Sequence, residues 1–132
     1  MTKNMNNLVT GYKLVKTTFT VIFDACVLYP NTLRSLLMYL ALTDLVRARW
    51  TETIQEEWIR NVLRDYKDIP RERLETTLTL MNQNVREGLA YGFEALIPAL
   101  NLPDPDDRHV LAAAIHANAG AIITFNLKDF PD

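Results

Sequence analysis

Two short apolar runs near opposite ends of the chain most constrain its fold. Residues 19–23 (FTVIF) and 121–125 (AIITF) are rich in β-branched and aromatic side chains, which is typical of buried strands. The segments between them carry helical patterns of apolar residues instead. Strands separated by helices predict an α/β fold in which a central, mainly parallel sheet is flanked by helices.

The sequence between these runs predicts several helices and one more extended segment. The extended segment is residues 47–50 (RARW). The pattern of residues 91–96 (YGFEAL) is ambiguous, and a short strand is one interpretation of it. Thr51 and Thr53 are alternative N-caps, and Thr53 has the capping-box spacing to Glu56. The predicted helices run from Pro30 or Asn31 to about Asp44, from Thr51 or Thr53 to about Tyr66, from Pro70 to about Val85, and from Asp104 to about Asn118.

Length and charge restrict the classes of function. A chain of 132 residues is expected to be a single domain, residues 1–132, in which the polar residues 1–18 are partly flexible. The net charge of −2 excludes an extensive basic surface, so any contact with nucleic acid must be local. The longest apolar run, residues 36–42, is too short to span a membrane, and the first residues lack the apolar stretch of a signal peptide. We therefore expect a cytoplasmic protein that is not bound to a membrane.

Polar side chains follow both predicted strands. Asp24 comes directly after the first strand, and Asn126 and Asp129 come after the second. Because the carboxyl ends of parallel strands meet at one edge of a sheet, these side chains are expected to be neighbours. Burying an ionised carboxylate is costly unless it is paired or binds a metal. For Asp24, a turn in which the carboxylate accepts hydrogen bonds from nearby amides is an equally good interpretation.

A third candidate carboxylate lies at the start of the last predicted helix, residues 104–120 (DPDDRHVLAAAIHANAG). Asp104 before Pro105 is typical of an N-cap followed by the first helical residue. Asp107 then lies near the centre of the apolar stripe of the helix, whereas His109 and His116 are predicted to point elsewhere. Helix capping explains Asp104 better than it explains an inward carboxylate at Asp107.

The helix predicted after residue 50 adds two adjacent acids, Glu56 and Glu57. Helical phase does not choose between them, and solvated ion pairs on the helix surface are a competing interpretation.

Several carboxylates at one edge of a sheet would repel one another without a cation, and oxygen ligands favour Mg²⁺ or Mn²⁺ over zinc. Such a metal supports phosphodiester hydrolysis. Phosphatases that use an Asp nucleophile at a strand end carry a second Asp two residues later. This chain has Cys26 at that position, which argues against this class of enzyme.

Three blocks of sequence, in this order, resemble PIN-domain ribonucleases, and more narrowly the bacterial group related to toxins of toxin–antitoxin systems. The blocks are VIFDACVLYPNTLRSLLMYLA (21–41), RWTETIQEEWIRNVL (49–63) and LPDPDDRHVLAAAIHANAGAIITFNLKDFP (102–131). The resemblance implies a three-layer fold and a metal-dependent endoribonuclease that uses Mg²⁺ or Mn²⁺ to hydrolyse RNA. The residues that it implies for the site are Asp24, Glu57 and Asp107 in catalysis and metal binding, with Glu56 as the alternative to Glu57, Asp129 as a further metal ligand, and Asn126, Arg60 and Arg64 in substrate binding.

The chain departs from the family pattern in two places. Asn126 stands where many PIN domains carry an acid, and the chain stops at Asp132 where the family usually continues into another helix or strand. We therefore expect a sheet whose C-terminal edge element is missing, so that an exposed strand pairs with a partner or a second copy. The partners that the resemblance implies are RNA and an antitoxin protein, and the expected assembly is a homodimer. The alternative function is that of a truncated, catalytically inactive PIN-like protein that binds RNA or protein.

Overall fold

The computed structural model describes residues 19–131, and the prediction for residues 1–18 lies outside this range. Three parallel strands form the central sheet in the order β2-β1-β3. The strands are β1 (Phe19–Phe23), β2 (Val46–Arg49) and β3 (Ala121–Ile123). Ile22 at the centre of the sheet pairs with Arg49 on one side and with Ile122 on the other. The predicted α/β fold with a parallel sheet is confirmed, although β3 is shorter than the apolar run that predicted it.

Helices flank this sheet. The α-helices are α1 (Ala25–Leu28), α2 (Asn31–Leu42), α3 (Glu52–Asp65), α4 (Arg71–Asn84) and α5 (Arg108–His116), and 3-10 helices form at Glu94–Ala99, Pro105–Asp107 and Leu127–Asp129. The sequence did not predict α1, whose four residues are too few for a helical period. Helix α2 ends before Asp44 because that residue has a left-handed φ of 63°. The strand alternative for residues 91–96 is wrong, since a 3-10 helix begins within them.

Side chains at the helix starts determine which caps form. The backbone N–H of Ile54 donates to the hydroxyl of Thr51 (3.1 Å), so Thr51 is the N-cap of α3. The capping box from Thr53 to Glu56 is therefore wrong, because Thr53 lies inside the helix. Asp104 accepts from the backbone N–H of Asp106 (2.9 Å), as its N-cap pattern predicts.

The core lies between β1 and the flanking helices. Ile22, Trp58 and Val110, from β1, α3 and α5, are fully buried. Helix α5 presents mainly alanines to the sheet, and these small side chains allow its backbone to approach closely. The buried Arg34 donates to two backbone carbonyls at the end of α1, and its guanidinium lies 4.4 Å from the ring centroid of Trp58. These contacts hold α1, and with it the end of β1, against α3.

The outer edge of β3 has no strand partner among residues 19–131. An apolar groove of about 370 Å³ runs along this edge, between β3 and α5. None of the helices in this range has the length and apolar character needed to cross a bilayer. Within this described range, the sheet therefore has an open edge on the side of β3.

Candidate active site

Asp24 occupies the tip of the central strand and is only 4% exposed. One carboxylate oxygen, Oδ1, accepts from the backbone N–H of Ala25 (2.8 Å), and the other, Oδ2, accepts from the hydroxyl of Thr124 (2.9 Å). The backbone N–H of Asp24 donates to the carbonyl of Ile123 (3.0 Å). Asp24 is therefore the N-cap of α1, and a hydrogen bond from a nearby amide, which was one of the two interpretations, is present. The second hydrogen bond to this carboxylate comes from Thr124, at the end of the neighbouring strand, and local structure around Asp24 does not explain it.

Thr124 connects this carboxylate to the loop after β3. Its hydroxyl donates to Asp24 and accepts from the backbone N–H of Asn126 (3.0 Å). The thiol of Cys26 lies 3.4 Å from the same hydroxyl and accepts from the backbone N–H of Phe125 (3.2 Å). The sequence pattern did not indicate Thr124, because this residue lies inside the apolar run 121–125 that predicted a strand. In the structure β3 ends at Ile123, so Thr124 directly follows β3 as Asp24 directly follows β1.

Glu57 is the acid of α3 that lies close to this strand edge. Burial raises the pKa of its carboxyl group, the negative charge of Asp24 raises this pKa further, and the positive charge of Arg60 opposes both. Glu56 has a different environment, because its carboxylate forms an ion pair with Arg71 (2.6 Å) and is half exposed. The structure thus separates two neighbouring acids that helical phase did not distinguish.

Asp107 lies where the 3-10 helix Pro105–Asp107 meets α5. The pKa of its carboxyl group is raised to about 6, first by burial and then by the negative charges of neighbouring acids. A carboxyl group surrounded by other carboxylates is more stable when protonated. The acids that raise this pKa are Asp104, Asp24, Asp129 and Glu57.

These acids belong to one electrostatic cluster, although they come from four segments of the chain. The donor set consists of carboxylate oxygens, which suits Mg²⁺ or Mn²⁺, and a bound cation would relieve the repulsion that raises the pKa of Asp107. Within residues 19–131, no group of three or more His, Cys, Asp and Glu side chains is arranged so that it could hold a metal ion as it stands. The residues fit a divalent cation in charge and chemistry, and binding one requires their side chains to turn toward a common point.

The other predicted site residues lie at different distances from this cluster. Asp129 belongs to the cluster because its charge acts on Asp107, and Arg60 lies close enough to Glu57 to stabilise its anion. Asn126 is exposed beside Thr124. Arg64 lies further along α3 and forms an exposed ion pair with Asp65 (2.9 Å).

His109 is adjacent to the cluster, contrary to the sequence prediction that it points elsewhere. Its Nε2 atom lies 3.8 Å from Oε1 of Glu57, and its side chain is 15% exposed. Helical phase places His109 away from the apolar stripe of α5, but it contains no information on α3. The prediction was wrong because the buried face of α5 includes Ala112 and Ala113, which lie one helical turn after His109.

Comparisons with known proteins identify the family of this chain. A family model described as a PIN domain matches residues 20–128. A curated relative from Mycobacterium tuberculosis (strain ATCC 25618 / H37Rv), named "Putative ribonuclease VapC50", is 44% identical over 57 residues. That match covers 43% of this chain and 33% of the relative, so the chain spans about a third of the relative's length. No solved structure gives a significant match.

Proposed function

This chain belongs to the PIN domain family, and on that premise we propose that it is a metal-dependent ribonuclease that hydrolyses phosphodiester bonds of RNA. The observation that carries the proposal is the carboxylate cluster at the carboxyl edge of the parallel sheet, in which burial, and then the charges of the other acids, raise the pKa of Asp107 to about 6. The name of the mycobacterial relative, a putative ribonuclease, supports RNA as the substrate. We propose further that the activity is that of a toxin-type endoribonuclease, as the sequence resemblance implies.

The proposed ligands of Mg²⁺ or Mn²⁺ are Asp24, Glu57, Asp107 and Asp129. Such an ion, when bound, lowers the pKa of a water molecule and stabilises the charge that develops on the phosphate. The protein holds Asp24 in place through Ala25 and Thr124, so the orientation of this carboxylate is determined before substrate binds.

Substrate contacts in this proposal come from the rim of the cluster. Asn126 and Arg60 lie beside it, and Arg64 extends the same face of α3. The amide of Asn126 can orient a phosphate or a water molecule, but it adds no negative charge for a second metal ion. Arg64 would have to exchange its partner Asp65 for a phosphate oxygen.

We also propose two protein partners for this chain. They are an antitoxin protein and a second copy of the chain, with which it forms a homodimer. The open edge of β3 supports a protein interface, since unpaired strand edges pair readily. Phe125 and Leu127 beyond this edge are 64% and 74% exposed, which supports an apolar contact surface. We further propose a cytoplasmic location, where RNA and an antitoxin are both present.

The test of the proposed activity is cleavage of single-stranded RNA with Mg²⁺ or Mn²⁺ and with EDTA. Asp24→Asn and Asp107→Asn are each expected to abolish cleavage, and Asp68→Asn, in an exposed loop, is the matched control. Cleavage that both site variants retain would refute the mechanism. If the folded native chain binds RNA without cleaving it, the alternative of an inactive binding module is favoured.

A further inference from the structure

His109 joins the two helices that carry acids of the cluster. It lies at the start of α5, close to Asp107 in sequence, and its Nε2 atom faces Oε1 of Glu57 on α3 at 3.8 Å. The other ring nitrogen, Nδ1, is buried and has no hydrogen-bond partner in the described part of the chain. The side chain that Nε2 faces is therefore a proposed metal ligand.

We propose that His109 is a positioning residue, which donates a hydrogen bond from Nε2 to Glu57 and holds that carboxylate toward Asp24. This inference rests on the proposed function, because it concerns the same metal site. It assigns to His109 a role that acts through Glu57, without contact between the imidazole and the metal or the RNA.

This role requires a proton on the ring nitrogen that faces Glu57. A neutral imidazole has one donor nitrogen and one acceptor nitrogen, and a carboxylate can only accept. The proton is therefore required on Nε2, which leaves the buried Nδ1 as the acceptor without a partner.

The distance of 3.8 Å exceeds that of a formed hydrogen bond, which is about 2.7–3.2 Å. Contacts of this kind are often long before metal or substrate is bound, and they shorten in the assembled site. Residues that orient metal ligands without touching the metal change metal affinity by about 10–100-fold when they are replaced. A loss of affinity in this range is the expected signature of His109.

Two substitutions of His109 distinguish the role of Nε2 from that of Nδ1. His109→Gln places an amide N–H near the position of Nε2, whereas His109→Asn places it near Nδ1, which does not face Glu57. His116→Asn is the matched control, because His116 is the other histidine of the chain, lies on the same helix and is exposed. Thermal unfolding of each variant checks that the fold is retained.

The measurement is Mn²⁺ affinity, from the free ion detected by electron paramagnetic resonance. We expect His109→Asn to weaken binding by about 10-fold or more, and His109→Gln to retain most of the native affinity. In a Glu57→Gln background, adding His109→Asn should cause little further loss, because the residue acts through Glu57. His116→Asn should bind as the native chain does.

Three results would overturn the inference while leaving the proposed metal site intact. The first is that His109→Asn binds Mn²⁺ with native affinity. The second is that His109→Gln and His109→Asn lose equal amounts of Mn²⁺ affinity. The third is that His109→Asn causes its full loss of affinity in the Glu57→Gln background as well. A native chain that binds no Mn²⁺, or whose binding is unchanged by Asp24→Asn, would overturn the metal site itself and the role of His109 with it.

Discussion

Replacing Asp107 by Asn should stabilise the metal-free protein at neutral pH while it abolishes the proposed activity. The pKa of this carboxyl group is about 6 in the folded protein and 3.8 in its ordinary environment. The folded state therefore binds more protons than the unfolded state between these two values. The contribution of the protonated group to stability is complete below pH 3.8 and is lost as the pH rises through about 6. Above that pH, the charged carboxylate destabilises the fold.

The size of the effect follows from the difference between the two pKa values. At about 1.4 kcal/mol for each tenfold change in the protonation equilibrium, this difference corresponds to about 3 kcal/mol. Asp107 is only partly buried, so solvent screening reduces the expected gain to about 1 kcal/mol. The amide of Asn has nearly the same shape and carries no charge, so it removes the repulsion without opening a cavity.

The assay is urea unfolding in EDTA at pH 7.5 and at pH 4. Asp107→Asn should raise the free energy of unfolding by about 1 kcal/mol at pH 7.5, and its advantage should largely disappear at pH 4. Adding Mn²⁺ should stabilise the native chain more than the variant, because the variant has lost a proposed ligand. Asp68→Asn is the control for removing an exposed acid from a loop.

The reasoning is refuted if Asp107→Asn is less stable than the native chain, or equally stable, in EDTA at pH 7.5. It is also refuted if Asp68→Asn gives the same gain, since the effect would then reflect net charge alone. A gain that persists unchanged at pH 4 would show that protonation of Asp107 is not its cause.

Three further substitutions test how the structure supports the site, each measured as the free energy of unfolding in urea. Thr124→Val should cost about 1.5–3 kcal/mol, because it removes a hydrogen bond to the buried carboxylate of Asp24; a cost below about 0.5 kcal/mol would contradict this. Gly88→Ala should cost about 1–3 kcal/mol, because a Cβ there would lie 2.7 Å from the buried ring of Trp50, and a neutral result would show that the ring moves freely. Arg34→Met should cost about 2–3 kcal/mol, because two carbonyls at the end of α1 lose their donor, and unchanged stability would mean that water replaces the guanidinium.

Part of the site was predictable because it depends on local pattern. The β-branched runs identify β1 and β3, and the acid that follows β1 is visible in the sequence. Parallel pairing then brings the ends of these strands to one edge, so Asp24 and the loop that carries Asp129 were expected to be neighbours. The order of the three sequence blocks was sufficient for the family resemblance, which the match over residues 20–128 confirms.

By itself, the sequence determined the α/β class, the parallel strand ends and the family. Only the tertiary structure decided which acid of α3 lies near Asp24, since Glu56 binds Arg71 from the next helix. It also decided the contacts of Thr124 and His109, which join segments far apart in the chain. The physical reason is that periodicity orders side chains around one axis, whereas these contacts depend on how separate elements pack. A helix cannot specify, from its own residues, what lies against its polar face.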